Sequence, residues 1–188
     1  MRIVFYMVAL LFIGACSSNP LVEIKTAEGN IVIEVFEKKA PHTASNFLKL
    51  VDESKYDGAV FYRVVTQSNQ ENNPVKIEVI QGGLFDDELV NALSTIPHET
   101  TEETNVFHKD GTISMARLGP GTASSEFFIC VGDMPELDYG GKRNPDGQGF
   151  AAFGRVIKGM SVVKKIHTLD NTNQMLNTMV KIESIRRI

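Results

Sequence analysis

Enzyme chemistry usually needs reactive side chains brought together, and in this 188-residue chain the usual reactive types are few and scattered. The four histidines (His42, His98, His108 and His167) are dispersed, and the two cysteines (Cys16 and Cys130) have no partner at metal-ligand spacing, so no metal site is expected. The sequence offers no convincing nucleophile–base pair and no phosphate-cradling loop. The stretch with most character is residues 111–131, GTISMARLGPGTASSEFFICV. Its apolar ends, 113–116 and 127–131, are short and hold β-branched and aromatic residues, so both read as strands. Between them, Gly119-Pro120-Gly121 breaks regular structure, and the small polar residues before Glu126 let a ligand's backbone come close. On the residues alone this is a binding surface with no reaction attached. The other candidate is one permanent cation inside an apolar strand, Arg63 of FYRVV; on the residues alone a lone Arg there reads as a solvated edge charge.

The elements that must position these groups follow from the pattern. Residues 21–26 and 31–36 flank Ala27-Glu28-Gly29-Asn30 and read as a β-hairpin. Pro41 suits a first helical turn, and Ala44, Phe47, Leu48 and Val51 follow at i, i+3, i+4 and i+7, one apolar face. Asp57-Gly58 turns the chain into a strand over 59–66, in which alternation puts Arg63 on one face with Phe61 and Val65. Residues 67–74, QSNQENNP, predict a mobile surface loop. A strand over 75–80 is closed by Gln81-Gly82-Gly83, where the plain reading is a simple turn. Residues 84–109 form an acid-rich surface excursion in which Asp86, Asp87, Glu88, Glu99, Glu102 and Glu103 have no role beyond solvation. After a loop over 134–148 come a strand (150–156), a helix (161–167, with Val162, Val163 and Ile166 apolar) and a closing strand (179–185). Cys130 sits in an apolar strand as a small core residue. Short strands plus two helices suit an antiparallel barrel, whose closure removes exposed edges.

Composition bounds the function. With 43% hydrophobic and 22% charged residues the chain fits one soluble domain of roughly 150 residues plus a leader, enough to bury a core without staples. A net charge of −4 and no concentrated basic face argue against a nucleic-acid partner. Arg2 followed by an apolar run over 3–13 is too short to span a membrane well and reads as a signal peptide over 1–15. Its end, Ile13-Gly14-Ala15-Cys16, resembles a bacterial lipobox, in which the cysteine is lipidated and becomes the new N-terminus. Ordinary cleavage near Ala15 is the plainer alternative. The expected order is leader, lipidated tether (16–20) and one domain (21–188).

GTISMAR followed by GPGTASSEFFI resembles the central signature of the cyclophilin family of peptidyl-prolyl isomerases. FYRVV (61–65), VIQGG (79–83) and GFAAFGRVIKGMSVV (149–163) resemble further motifs of that family, in its order, across nearly everything after residue 21. The resemblance implies a mainly β fold: a closed antiparallel eight-stranded barrel capped by two α-helices. It implies catalysis of X-Pro rotation without a cofactor or metal, on proline-containing unfolded or flexible polypeptides. Residue by residue, Arg63 takes the place of the catalytic arginine. Phe61, Gln81, Val79, Ala116, Arg117, Glu126, Phe128 and Leu137 take places along the substrate groove, with Gln81 anchoring backbone and Phe128 flooring the proline pocket.

That reaction fits the missing nucleophile, since it breaks no covalent bond. Amide resonance sets a barrier of about 18–20 kcal/mol. Acceleration by roughly five decades needs about 7 kcal/mol, within reach of one aimed guanidinium plus positioning. Departures from the family bear on substrate choice: Glu78-Val79 replaces a common Phe-Met, Arg117 an asparagine, Glu126 a glutamine and Phe150 a histidine. The chain has 0 Trp, so the contact many members use for cyclosporin is missing. The expectation is a monomeric isomerase of the bacterial cell envelope, on the membrane only through its lipid. The rival is a proline-peptide-binding or chaperone module on the same fold with little catalysis.

Overall fold

A computed structural model describes residues 18–188; the leader and Cys16 lie outside the described residues. The chain opens with β1 (Leu21–Thr26) and β2 (Gly29–Val35), then α1 (Pro41–Asp52), β3 (Val60–Val65) and β4 (Val79–Gly83). Two short helices follow, α2 (Asp87–Asn91) and α3 (Thr101–Thr104), before β5 (Thr112–Met115) and β6 (Phe127–Cys130). The chain ends with β7 (Ala151–Lys158), α4 (Met160–His167), the two-residue β8 (Asn171–Thr172) and the long β9 (Met175–Arg187). Neighbours run β1-β2-β7-β5-β6-β4-β3-β9, and β9 pairs back onto β1, so eight antiparallel strands close a barrel with β8 a small appendage. The β1–β9 pairing shifts register between Lys25 and Thr26, and β9 pairs with β3 along its other edge.

Strand alternation sorts side chains into two apolar clusters. Phe127 and Ile129 of β6 point into the barrel, where Phe47 of α1, Tyr56, Phe61 and Phe153 pack ring against ring. Phe128 and Cys130 point outward and join Val65, Ile77, Val79, Met134 and Leu137 in a smaller cluster outside the barrel wall. Burial pushes the Cys130 thiol well up, so it stays protonated. Helices α1 and α4 bury Phe47, Leu48, Val51, Val163 and Ile166, the apolar stripes expected of them.

Several expectations change. Gln81-Gly82-Gly83 lies inside β4 rather than in a turn after it, and 75–78 has no strand pairing. The loop over 67–74 is tied down: buried Gln70 donates to Thr66 O (2.7 Å) and Ile77 O (2.8 Å), and Asn69 donates to Val64 O (3.1 Å). Three of the six acids of the excursion, Asp86, Glu99 and Glu103, cap helices. Asp86 accepts from the Glu88 and Leu89 N–H groups at the start of α2, and Thr100 with Glu103 forms a reciprocal capping box on α3.

Glu99 departs furthest from the solvated role. It is 8% exposed, and its carboxylate accepts from His42 N (3.1 Å), Thr43 N (2.7 Å) and Thr43 Oγ1 (2.6 Å). Ala40, at the start of α1, has no polar side chain to do this, so Glu99, 57 positions beyond His42, caps the helix and ties the excursion to it. Glu99→Ala should strand buried donors and cost about 2 kcal/mol, lowering Tm by roughly 4–8 °C. A thermal melt within about a degree of the parent would remove Glu99 from that role.

Candidate active site

The site is built on an irregularity in β3. Phe61 pairs with Gly82 and Arg63 with Gln81, so Tyr62 is an extra residue with no partner of its own on β4. Such a bulge breaks alternation. Phe61 and Val64 point into the barrel, while Tyr62, Arg63 and Val65 all lie on its outer side. Phe61 is 0% exposed in the aromatic core, which corrects its place in the substrate groove: the bulge keeps it off Arg63's face.

Outside the wall runs a groove of two adjoining cavities. The first, about 280 Å³, has an apolar floor of Phe128, Leu137, Val79 and Phe150, with Arg63 and Gln81 on its wall. The second, about 440 Å³, is bounded by Tyr62, Leu93, Thr122 and Glu126. Gln81, Ala116, Arg117 and Leu118 border both, and Leu118 stands 99% exposed on the ridge between them. Of the residues expected in the groove, Gln81, Val79, Ala116, Arg117, Phe128 and Leu137 lie on its first cavity and Glu126 on its second.

The Arg63 guanidinium is half-buried and held by neutral partners. Nη1 donates to Gln81 Oε1 (2.7 Å), while Nε (3.1 Å) and Nη2 (2.6 Å) both donate to Gln174 Oε1. Burial pulls its pKa below the ordinary value, but a guanidinium remains charged at any working pH. Gln174, itself at positive φ, is fixed by donation to Asn69 O (3.0 Å).

Behind Gln81 the hydrogen bonds have a direction. Gln81 Nε2 donates to Tyr62 Oη (2.6 Å), and Tyr62 Oη donates to Glu126 Oε2 (2.7 Å). Burial first, and then the Glu126 charge, push the Tyr62 hydroxyl far above its ordinary pKa, so it keeps its proton. A carboxylate only accepts; hence Tyr62 must donate to it, must accept from Gln81, and Gln81 must turn its carbonyl to Arg63. Glu126 therefore does not touch Arg63, as a direct ion pair would require, but orients it through two side chains. Its other oxygen accepts from Leu84 N (2.7 Å), and Gly83 (φ +151°) leaves room, since a Cβ there would fall on the carboxylate.

The pocket floor has its own support. His108, 1% exposed, stacks on Phe128 (5.9 Å, 14°) and bonds Asp138 Oδ1 through Nδ1 (2.7 Å) and Ser114 Oγ through Nε2 (3.0 Å). A Ser–His–Asp set thus exists although no nucleophile–base pair is legible in sequence, but Ser114 is fully buried beneath Phe128 and reaches no substrate. Its effect is to fix the floor ring. Arg117 is a brace: its side chain forks onto Asp146 (2.8 and 2.9 Å), donates to Gly149 O and lies over Phe150. That ion pair holds the exposed Asp146 carboxyl at about 2. Among the described residues, no group of three or more His, Cys, Asp or Glu could hold a metal ion.

Sequence reasoning missed Tyr62, Gln174, Arg143 and His108. Tyr62 carried a signal, as the residue beside Arg63 in the same motif; the others come from loops whose paths a sequence pattern does not give.

Residues 21–187 match the family model described as cyclophilin type peptidyl-prolyl cis-trans isomerase/CLD. A peptidyl-prolyl cis-trans isomerase of Acinetobacter baylyi is 32% identical over 188 residues, covering 100% of this chain and 93% of the relative. Peptidyl-prolyl cis-trans isomerase B of Escherichia coli is 33% identical over 147 residues, 78% of this chain and 83% of the relative. The crystal structure of a Cryptosporidium parvum cyclophilin-type isomerase in the presence of the dipeptide Ala-Pro superposes with TM-score 0.69 at 21% identity, over 89% of this chain and 98% of that one. At that identity the likeness bears on the fold alone.

Replacing Tyr62 by Phe should cut the directed chain at its middle. Gln81 then loses the partner that fixes its amide, and its two side-chain N–H resonances should collapse toward a mobile, solvent-like pair in NMR spectra. The associated stability loss should be about 1 kcal/mol. Unchanged, well-separated Gln81 resonances would mean that the chain does not set its orientation.

Proposed function

Because the chain belongs to the cyclophilin-type peptidyl-prolyl cis-trans isomerases, we propose that the prolyl ring of its substrate sits on Phe128 and Leu137 with the rotating amide against Arg63. The observation that carries this reading is the pairing of an apolar floor with the amide-held guanidinium of Arg63 in a single small cavity. A guanidinium has five N–H donors, and Arg63 spends three on Gln81 and Gln174, leaving two for a ligand.

As the prolyl amide twists, conjugation is lost and the nitrogen lone pair localises. The nitrogen then becomes an acceptor that it is not in the planar ground state. A donor fixed there binds the twisted form more strongly than either planar isomer, which is what lowers a barrier. The apolar floor holds the ring while the preceding carbonyl swings, and the ridge at 116–118 supplies backbone beside the substrate chain. No proton, electron pair or covalent bond changes hands, so the non-nucleophilic amide partners of Arg63, Gln81 and Gln174, suit the task.

The setting of this activity is the cell envelope, on polypeptides outside the cytoplasm. Its support is the charged-then-apolar leader and the Cys16 position at its end. Acyl labelling of the protein in its host tests the anchor: the parent should carry lipid and Cys16→Ser should not. A mature parent without lipid would make the protein simply secreted.

For the site itself, Arg63→Ala should lower kcat/KM on a short Ala-Pro peptide by about two to three decades, with stability little changed. Arg63→Lys should restore only part, because an ammonium lacks the planar fork. A folded Arg63→Ala protein that isomerises at the parent rate would assign the acceleration to groove shape alone.

A further inference from the structure

The first cavity holds two guanidiniums that no carboxylate neutralises. Arg143, on the loop before β7, borders it together with Arg63, and the two also share an adjoining polar recess with Asn69, Gln70 and Gln174. Arg143 is half-buried, and its side-chain bonds among the described residues come from Nη1 alone, to Gln70 Oε1 (2.8 Å) and Val75 O (2.6 Å). Its Nε and Nη2 donors are left over. Neither Arg63 nor Arg143 forms an ion pair among the described residues, whereas Arg117 on the same wall is matched by Asp146. Glu71 also borders the recess, but its carboxylate is exposed and pairs with neither. Glu126 lies in the other cavity with its own donors.

Holding two like charges half out of water side by side is unfavourable unless something offsets it. Burial first, and the Arg63 charge second, pull the Arg143 pKa down. The arrangement is nonetheless firmly built. Gln70 is 3% exposed and spends its amide on backbone at 66 and 77, so the acceptor that holds Arg143 is fixed, and the Arg143 N–H itself donates to Glu136 O (3.1 Å). The whole chain carries net charge −4, so this positive corner runs against the protein's overall sign.

We propose that Arg143 is a specificity residue, and that the groove prefers X-Pro sequences in which a residue flanking the proline carries a side-chain carboxylate, Asp or Glu, seated on the free donors of Arg143. The inference rests on the isomerase reading of the same groove and names its substrate class. A carboxylate there completes the half-used guanidinium, relieves the repulsion from Arg63 and leaves the prolyl ring on Phe128. A lysine there adds a third positive charge and is disfavoured.

The test uses the purified protein and blocked peptides of one length, so that the only carboxylate is a side chain. Glu, Gln or Lys stands immediately before or after the proline, and isomerisation is followed by NMR exchange. At one of the two positions kcat/KM for Glu should exceed that for Gln by about fivefold, with Lys below Gln, and the spread should shrink in 0.5 M salt at roughly a 4 Å Debye length. In Arg143→Gln the Glu-to-Gln ratio should fall below about two, and in Arg143→Lys most of it should return. Equal rates for Glu, Gln and Lys at both positions, or a preference that survives Arg143→Gln, would overturn the proposal while leaving the isomerase reading standing. No turnover of any peptide would instead remove the isomerase reading on which it rests.

Discussion

A permanent cation held half out of water by neutral amides is the constraint around which this groove is arranged. Arg63 cannot shed its charge, so the protein must satisfy it without cancelling it. Gln81 and Gln174 do this with carbonyl oxygens, which accept hydrogen bonds yet leave the net charge free to act on a ligand. An acid in direct contact would have stabilised the guanidinium more strongly and competed with substrate for its donors. Here the acid stands two side chains back. Glu126 sets the direction of the Tyr62 and Gln81 hydrogen bonds, and the β3 bulge makes this possible by placing Tyr62 and Arg63 on the same outer side of the barrel.

The loops around the groove are fixed by the same device, buried polar side chains that bond across loop segments. Glu99 caps α1 from the excursion, Gln70 gathers 66, 77 and Arg143, and His108 joins Asp138 and Ser114 beneath Phe128. Each satisfies groups that a loop would otherwise leave unpaired in a dry environment. Gln70 and His108 also hold wall residues of the first cavity, Arg143 and Phe128. The small outer cluster around Phe128 is thus a platform whose shape depends on polar contacts at its edges as much as on its own packing.

Most of the barrel was legible because its strands and two main helices obey their periods. The stripe of Ala44, Phe47, Leu48 and Val51 marks α1, and the run over 127–130 marks β6 with Phe127 inward and Phe128 outward. Arg63, Gln81 and Phe128 were legible through the motifs around them. What escaped depends on departures from period or on contacts far along the chain. Alternation places Phe61 beside Arg63, and one inserted residue reverses that. An acid-rich stretch reads as solvated whether or not Glu99 turns inward, because the helix it caps lies 57 residues earlier. Gln174 and Arg143 sit in turns whose composition says only that the chain bends, and their value to the site arises from where the loops meet.

The claim that polar neighbours act through Arg63, and not merely by holding the groove together, is tested most directly by a double-mutant cycle. The cycle compares kcat/KM on one Ala-Pro peptide for the parent, Tyr62→Phe, Arg63→Lys and the double variant. If the chain from Glu126 works by aiming the guanidinium, Tyr62→Phe should cost about tenfold in the parent and less than about twofold in the Arg63→Lys background, where there is no fork to aim. Equal costs in both backgrounds would contradict the account, since Tyr62 would then support the groove without reference to Arg63.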